Sequence, residues 1–396
     1  MKRAGILIGL FWMGLAGLNW PATAQAQWNV SLATQQSYND NPFSYRTSTQ
    51  SWISTYSLGI QRTFPRLAIS YYGDLSRFSA IPDRNYYWHQ LALWRESQTW
   101  RWGAYVNQQI NRTAYNLYDY LTATLYARKQ GMARGIYWTA NAALSRNHYA
   151  QLSDLDNWQW TVSLNLNRSL PSRTTIIAGA RYRYKQYVQS TTLPGGRVMP
   201  GWEHGHGDSN RGGMGWFTGM NDGHMGGSSY APSLSQAVFW LRLAQSLTPT
   251  TGAALQYTQQ VNLTGTDRFI TGIELLDAQE SQLFDDPMGY EGYALTAQLT
   301  QLLPGRMMFR AGAVWKYKSY ISQGIYTDSE TFDENTLRED TYRSIWIYLQ
   351  KTIAFSSAAL PRLNAYIQLQ WTNNTSNSYW YDYRSQLFSI GLELDL

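Results

Sequence analysis

The chain contains no cysteine. This excludes disulfide frameworks, thiolate zinc sites and cysteine nucleophiles. Beyond the N-terminus it also lacks any apolar run of the roughly 18 residues that a membrane-spanning helix requires, which excludes a polytopic helical membrane protein. Charged residues make up only 15% of the 396 residues, whereas aromatic residues make up another 15%. Because disordered chains are poor in aromatic residues, the sequence predicts a large ordered structure.

Several functional classes find no support in the sequence. The net charge is +6, but lysine and arginine are scattered singly, so no nucleic-acid partner is predicted. Neither a phosphate-binding glycine loop nor a dinucleotide fingerprint is present, and no cofactor is expected. Ser145, Asn147 and His148 precede Asp154 and Asp156. Alternation places neighbouring residues of a strand on opposite faces, so this group does not predict an enzyme.

The N-terminus has the pattern of a secretory signal peptide. Lys2 and Arg3 precede an apolar stretch at 4–18, and residues 22–26 offer two overlapping A-x-A cleavage sites. The sequence therefore predicts that residues 1–26 are removed, and that residues 27–396 leave the cytoplasm as a single domain.

From Trp28 onward, apolar and polar residues alternate. In one segment Trp158, Trp160, Val162, Leu164 and Leu166 share one parity, and polar residues occupy the other. Such alternation in segments of 9 to 14 residues is typical of strands that cross a bilayer. Sixteen strands are predicted, at 28–38, 51–62, 67–77, 86–95, 100–112, 119–128, 135–148, 157–168, 174–188, 233–246, 251–264, 291–302, 306–320, 342–354, 363–373 and 384–396.

Charge placement indicates which face of each strand meets lipid. Arg181, Arg183 and Lys185 share one face, while Tyr182 and Tyr184 share the other. A cation facing lipid near the bilayer midplane costs about 2 to 4 kcal/mol. The cations should therefore face a watery lumen.

The predicted connections alternate between short and long. Short connections fall at 63–66, 96–99, 129–134, 169–173, 247–250, 303–305 and 355–362, whereas long segments fall at 189–232, 265–290, 321–341 and 374–383. Short periplasmic turns, long extracellular loops and an even strand count are expected of an outer-membrane barrel. The predicted fold is an all-β, transmembrane, antiparallel up-and-down β-barrel.

The C-terminal tail resembles the assembly signal of outer-membrane barrels. Ser389 is followed by Gly391, and apolar residues stand at the third-last and last positions, Leu394 and Leu396. Members of that group usually end in an aromatic residue, so Leu396 departs from the pattern. With the alternation and the connections, the tail makes the whole chain similar to porin-like outer-membrane barrels. The resemblance implies integration in the bacterial outer membrane and contact with the barrel-assembly machinery, outer-membrane lipid and lipopolysaccharide.

A barrel of 16 strands leaves an aqueous channel unless it is plugged. Cations predicted to line the lumen favour anions; they are Arg101, Arg128, Arg181, Arg183, Lys185, Arg242, Arg310, Lys316 and Lys318. Acidic residues crowd two predicted loops and would form an acidic outer rim; they are Asp267, Glu274, Asp277, Glu280, Asp285, Asp286, Asp328, Glu330, Asp333, Glu334, Glu339 and Asp340. Lumen aromatics could stack against sugars or fill space structurally; they are Trp88, Tyr126, Tyr137, Trp240, Trp346, Tyr348 and Tyr366.

Two functional hypotheses remain. The first is a channel for small polar or anionic solutes, including saccharides. The alternative is an outer-membrane scaffold of an export, secretion or surface-assembly complex, for example in polysaccharide export. A channel would form homo-oligomers, whereas a scaffold would bind other envelope proteins.

The segment 189–232 is rich in glycine, methionine and histidine. Loops of this length are usually functional or disordered. His204, His206 and Asp208 are candidate ligands for a divalent metal, but a glycine-rich segment disfavours a preformed site, so no metal site is predicted. The alternatives are a constriction loop that folds into the lumen, a contact for a partner, and a mobile surface loop.

Overall fold

The protein is a closed β-barrel. A computed structural model describes residues 27–188, 233–265, 286–354 and 362–396. The barrel strands are β1 Gln27–Asn39, β2 Ser51–Thr63, β3 Leu67–Phe78, β4 Tyr86–Glu96, β5 Trp100–Asn111, β6 Tyr120–Ala133, β7 Ile136–Tyr149, β8 Asn157–Ser169, β9 Thr174–Tyr187, β10 Ser233–Ser246, β11 Thr251–Asn262, β12 Tyr290–Leu303, β13 Met307–Tyr320, β16 Glu339–Ala354, β17 Arg362–Ser376 and β18 Tyr383–Asp395. Two short strands, β14 Ile325–Tyr326 and β15 Phe332–Asp333, pair separately.

All neighbouring barrel strands are antiparallel, and β1 closes the barrel by pairing with both β2 and β18. The last residue completes this seam: Leu396 N donates to Val30 O over 2.8 Å, and Val30 N donates to Leu396 O over 3.2 Å. Closure satisfies the backbone groups that an open edge would leave unpaired in hydrocarbon. The predicted sixteen-stranded antiparallel barrel is confirmed.

The predicted turn at 129–134 is wrong. Strand β6 continues to Ala133, and the connection consists of Arg134 (φ 50°) and Gly135 (φ 75°). Positive φ at both central residues is the geometry of a tight two-residue hairpin, which lets both strands run to their full length. Lys129 lies on the lipid-facing parity of β6, where a cation is unfavourable near the bilayer midplane. Its ammonium instead lies 4.9 Å from the ring of Trp100 at the barrel end.

The outward face is apolar and uncovered. Val162 and Ile345 are 56% and 57% exposed, and Leu164 and Leu392 are similarly open on strands far apart in the barrel. A monomer in water rarely exposes so continuous an apolar surface. Together with closure, this outward apolar band is the arrangement that a bilayer-spanning barrel requires.

The two ends of the barrel differ. At one end, here called the turn end, strands are joined by short turns. At the other, here called the loop end, short 3-10 helices and the β14–β15 hairpin pack into small clusters, such as Tyr326 with Trp380 and Tyr381. None of the described residues lies in a helix that is long and apolar enough to cross a membrane. Among the described residues, the clusters of buried hydrophobic side chains thus lie at the loop end, and the barrel wall is a single sheet.

Candidate solute pathway

The strand register determines which side chains share the inward face. Directly paired residues of antiparallel strands lie on the same face. Arg183 pairs with Thr161 on β8 and Gln236 on β10, and Arg310 pairs with Thr300 and Tyr348. Followed around the barrel, the register puts all nine predicted lumen cations and all seven predicted lumen aromatics on this polar face. Their part in solute selection stays a prediction.

The inward cations are concentrated on one side of the barrel. Arg181 and Arg183 lie on β9, Arg242 on β10, and Arg310 and Lys316 on β13. Among the described residues, none of the five has a carboxylate partner within ion-pair distance. Their contacts are neutral: Arg183 donates to Gln236 Oε1, Arg242 Nη2 donates to Gln298 Oε1 over 3.3 Å, and Lys316 Nζ donates to the hydroxyl of Tyr290 over 3.3 Å.

Two further guanidiniums of this face lie on other strands. Arg101 on β5 is 3.9 Å from Glu96 and 4.9 Å from the ring of Trp94. Arg128 on β6 is the register partner of Arg101 and is half-buried. These two residues extend the positive surface toward the turn end, where Glu96 offsets part of it.

Two predicted lumen cations are buried at the loop end. The ammonium of Lys185 is bound by the carboxylate of Asp286, and both side chains are more than nine-tenths buried. Lys318 is 8% exposed and pairs in register with Asp340, which also binds Arg338. Neither ammonium is open to a solute.

The same contacts correct the predicted acidic rim. Asp286 and Asp340 are buried and bound by cations, so they add no negative charge to the outer surface. Asp328, Glu330 and Glu334 remain exposed on the β14–β15 hairpin. The rim residues at 266–285 lie outside the described part of the chain.

Inward carboxylates also occur on the opposite wall. Asp74 on β3 and Glu393 on β18 occupy one continuous register row through Ser57 and Ala33. In the strand order, β9 and β10 lie almost diametrically across from β3 and β18. The lumen is therefore polarised across its width. Sequence alternation already indicates the inward parity of these two acids, but only the strand order places them opposite the cations of β9 and β10.

Several inward aromatic rings lie over glycines of the neighbouring strand. Trp346 covers Gly312, where an added Cβ would lie 2.5 Å from Trp346 Cζ2. Tyr366 covers Gly391 and donates to Gln35 Oε1 over 2.8 Å. The Tyr348 and Tyr366 rings stack at 5.6 Å with an angle of 28°. These rings therefore lie against the barrel wall. The lumen is wider than it would be if the rings pointed toward the barrel axis.

One loop returns onto the inward face at the loop end. Pro287 O accepts hydrogen bonds from Gln236 Nε2 and Gln260 Nε2, at 2.8 and 2.7 Å, and Asn262 Nδ2 donates to Met288 O over 2.9 Å. Met288 is buried against Leu234 and Tyr187. This anchored segment narrows the mouth next to Arg183.

The residues of the C-terminal assembly signal occupy both faces of β18. Ser389 is buried on the inward face and hydrogen-bonds Ser37 Oγ at 2.8 Å, and Gly391 accommodates Tyr366. Leu394 shares the outward face of β18 with Leu392 and Ile390. The tail thus forms the closing seam, and its role as a recognition signal stays a prediction.

The other sequence candidates have different outcomes. His204, His206 and Asp208, with the whole segment 189–232, lie outside the described residues, and within the described ranges no group of histidines and carboxylates could hold a metal. His148 Nδ1 lies 2.7 Å from Asp156 Oδ2, which also binds Arg146 at 2.9 Å. His148 and Arg146 face outward at the loop end.

Comparison with known proteins supports the fold. No family model matches the chain, and no curated relative matches. The structure is similar to that of OccAB1 from Acinetobacter baumannii, with a TM-score of 0.53 and 10% identity over 95% of this chain and 98% of that one. A bacterial polysaccharide outer membrane secretin and OccD1 (OprD) align at a TM-score of 0.47, with 8% and 11% identity, over 93% of this chain and 97% and 95% of theirs.

The similarity to OccAB1 agrees with the closed barrel, the apolar outward band and the asymmetry between turns and loops. Together these features show a sixteen-stranded barrel of the outer-membrane porin fold, integral to the bacterial outer membrane.

Proposed function

We propose that this protein is a channel for small anionic and polar solutes. The observation that carries the proposal is the set of inward cations on β9, β10 and β13 without carboxylate partners among the described residues. Strands spaced about 4.8 Å apart and tilted about 40° close sixteen strands at a diameter of about 30 Å. A barrel of that diameter leaves room in its lumen for water beside a half-buried guanidinium.

The chemistry of the wall favours anions in two ways. Guanidinium groups donate planar, paired hydrogen bonds that match carboxylates and phosphates. The acids Asp74 and Glu393 face the cations of β9 and β10 across the lumen, so an anion is drawn to the side of β9 and β10, where a small cation is repelled. The positive side should therefore raise the local concentration of anions and set the sign of the selectivity.

The aromatic residues support saccharides as one class of solute. Trp346, Tyr348 and Tyr366 pack along the wall between β16 and β17, and Arg310 Cζ lies 6.0 Å from the centre of the Tyr348 ring. Apolar faces of sugar rings stack on aromatic planes, and a neighbouring guanidinium can bind an acidic substituent. A sugar acid or sugar phosphate fits this combination better than a neutral sugar.

The experiment is single-channel recording of the purified protein in planar bilayers under a KCl gradient. The variant R181E/R183E should move the reversal potential away from anion selectivity. A matched control is R168E/K351E, which reverses two outward charges at the turn end and should leave the reversal potential unchanged. An unchanged reversal potential in R181E/R183E would refute anion selection by this wall. The absence of any conductance steps in the intact protein would refute the channel and favour a scaffold.

Saccharide passage is tested separately by current blockage with a sugar acid and the matching neutral sugar. The variant W346A/Y348A should shorten blockages by both sugars, whereas R310Q should shorten only those by the acid. Equal blockages in all variants would remove saccharides from the proposal and leave anion selection standing.

A further inference from the structure

Two arginines project from the lipid-facing side of the barrel near the loop end. Arg343 on β16 and Arg384 on β18 are both exposed, and each pairs in register with Asn373 on the strand between them. With strands about 4.8 Å apart, their Cα atoms are about 10 Å apart. Two arginine side chains at this distance can both reach a single anionic group that lies over Asn373.

Neither guanidinium is bound by another side chain among the described residues. No ion pair or hydrogen bond involves either guanidinium in the described ranges; Arg384 is contacted at its backbone oxygen, which accepts from Asn41 Nδ2 over 2.8 Å. Two carboxylates near Arg384 are engaged elsewhere: Asp382 lies 3.7 Å from Arg46, and Asp40 Oδ1 accepts a hydrogen bond from Gln386 N over 2.6 Å. Both guanidiniums are therefore free of a direct ion pair within the described residues and are accessible from outside the barrel.

The surface next to these arginines is apolar toward the membrane centre. The next outward rung holds Ile345, which is 57% exposed, and Trp371, which is 41% exposed; Phe388 follows one rung further. Tryptophan at this position is typical of the bilayer interface, so the arginines lie at headgroup level. On the other side, a polar recess of about 510 Å³ includes Asn373 and Arg384 in its lining.

A ligand for this surface must be anionic at one end and apolar at the other. Arginines recognise phosphate through paired, charge-assisted hydrogen bonds. Acyl chains would cover Ile345, Trp371 and Phe388, and a sugar bearing the phosphate could enter the polar recess. In the outer-membrane porin fold the loop end faces the cell exterior, so the lipid comes from the outer leaflet.

We propose that the outward face of β16 to β18 binds an outer-leaflet glycolipid through its phosphate, which Arg343 and Arg384 hold. The interaction is independent of the lumen and does not rest on the proposed channel function. It gives a specific site to the expected contact with lipopolysaccharide.

The test is native mass spectrometry of the delipidated full-length mature protein in detergent, titrated with bisphosphorylated lipid A. Wild type should retain one lipid A, and R343Q/R384Q should bind it at least about tenfold more weakly, since hydrogen bonds to charged groups are among the strongest. The control R77Q/R112Q removes two other exposed arginines at the loop end and should bind like wild type. Thermal unfolding checks that each variant is folded.

Two further probes identify the recognised chemistry. Dephosphorylated lipid A should bind as weakly to wild type as lipid A binds to R343Q/R384Q. Inorganic phosphate should not displace lipid A, because it makes no apolar contacts. Equal loss of binding in both double variants, equal binding of the dephosphorylated lipid, or displacement by inorganic phosphate would each overturn the proposal.

Discussion

Replacing Arg338 with methionine is expected to increase local unfolding of the loop between β13 and β16, while the barrel strands stay folded. Arg338 is 2% exposed and lies between the rings of Tyr320 and Tyr381, whose centres are 4.2 and 3.2 Å from its guanidinium carbon. It binds both carboxylate oxygens of Asp340, and Nη1 donates to Gln323 Oε1 over 3.4 Å. Arg338 thus joins the β13–β16 loop to the start of β16.

The magnitude follows from the burial of Asp340, which is 1% exposed. Removing one partner of a buried ion pair costs about 3 to 5 kcal/mol, because the other charge is left without compensation. Lys318 is the register partner of Asp340 and can replace part of the lost charge, so the lower end of that range applies. A cost of about 3 kcal/mol makes the equilibrium constant for local unfolding of the β13–β16 loop about 100-fold larger.

The assay is amide hydrogen exchange of the purified barrel followed by mass spectrometry. The amide of Arg338 donates to Gln323 O over 2.9 Å, and that of Thr327 donates to Thr331 O over 3.0 Å, so both report on opening of the loop. In R338M these amides should exchange about 100-fold faster, whereas amides of β8 should be unchanged. The double variant R338M/D340N removes the buried charge as well and should recover most of the protection. Unchanged exchange in R338M, or no recovery in the double variant, would refute the reasoning.

Three other outcomes are expected. L164R should destabilise the barrel by about 2 to 4 kcal/mol in denaturant unfolding from lipid vesicles, whereas N165R, one residue further on the watery face, should not; equal stabilities would contradict the assigned faces. G391A should drive the phenol ring that covers it into the lumen and lower single-channel conductance, while G252A, whose Cβ would meet nothing nearer than 3.8 Å, should conduct normally. The pKa of Asp328 is held below its ordinary 3.8 by hydrogen bonds from the amides of the following turn, so that turn should keep its protection above pH 3.8 and lose it as the pH falls through the lowered pKa; D328N should abolish this pH dependence of exchange.

The strands could be predicted because the outward face of each strand meets lipid and the inward face meets water, so apolar and polar residues alternate along it. The sequence predicts strand β10 at 233–246, and the structure has those bounds: Phe239, Leu241 and Leu243 share the outward face, and Arg242 lies on the inward face between two of them. The turn after β6 could not be placed by the same rule. Lys129 has the lipid-facing parity, and its contact with Trp100 across the strand pair is not visible in the local sequence.

The sequence by itself therefore determined the barrel, its strand number and the direction in which each side chain points, because a period of two is a local property of the backbone. Only the tertiary structure decided which inward charges remain available. Lys185 is neutralised by Asp286, 101 residues away, whereas Arg181 and Arg183 on the same strand have no such partner among the described residues. Likewise, Trp346 lies over Gly312 because of the register between β13 and β16. Pairings of this kind depend on strand order and register, which are settled when the barrel closes.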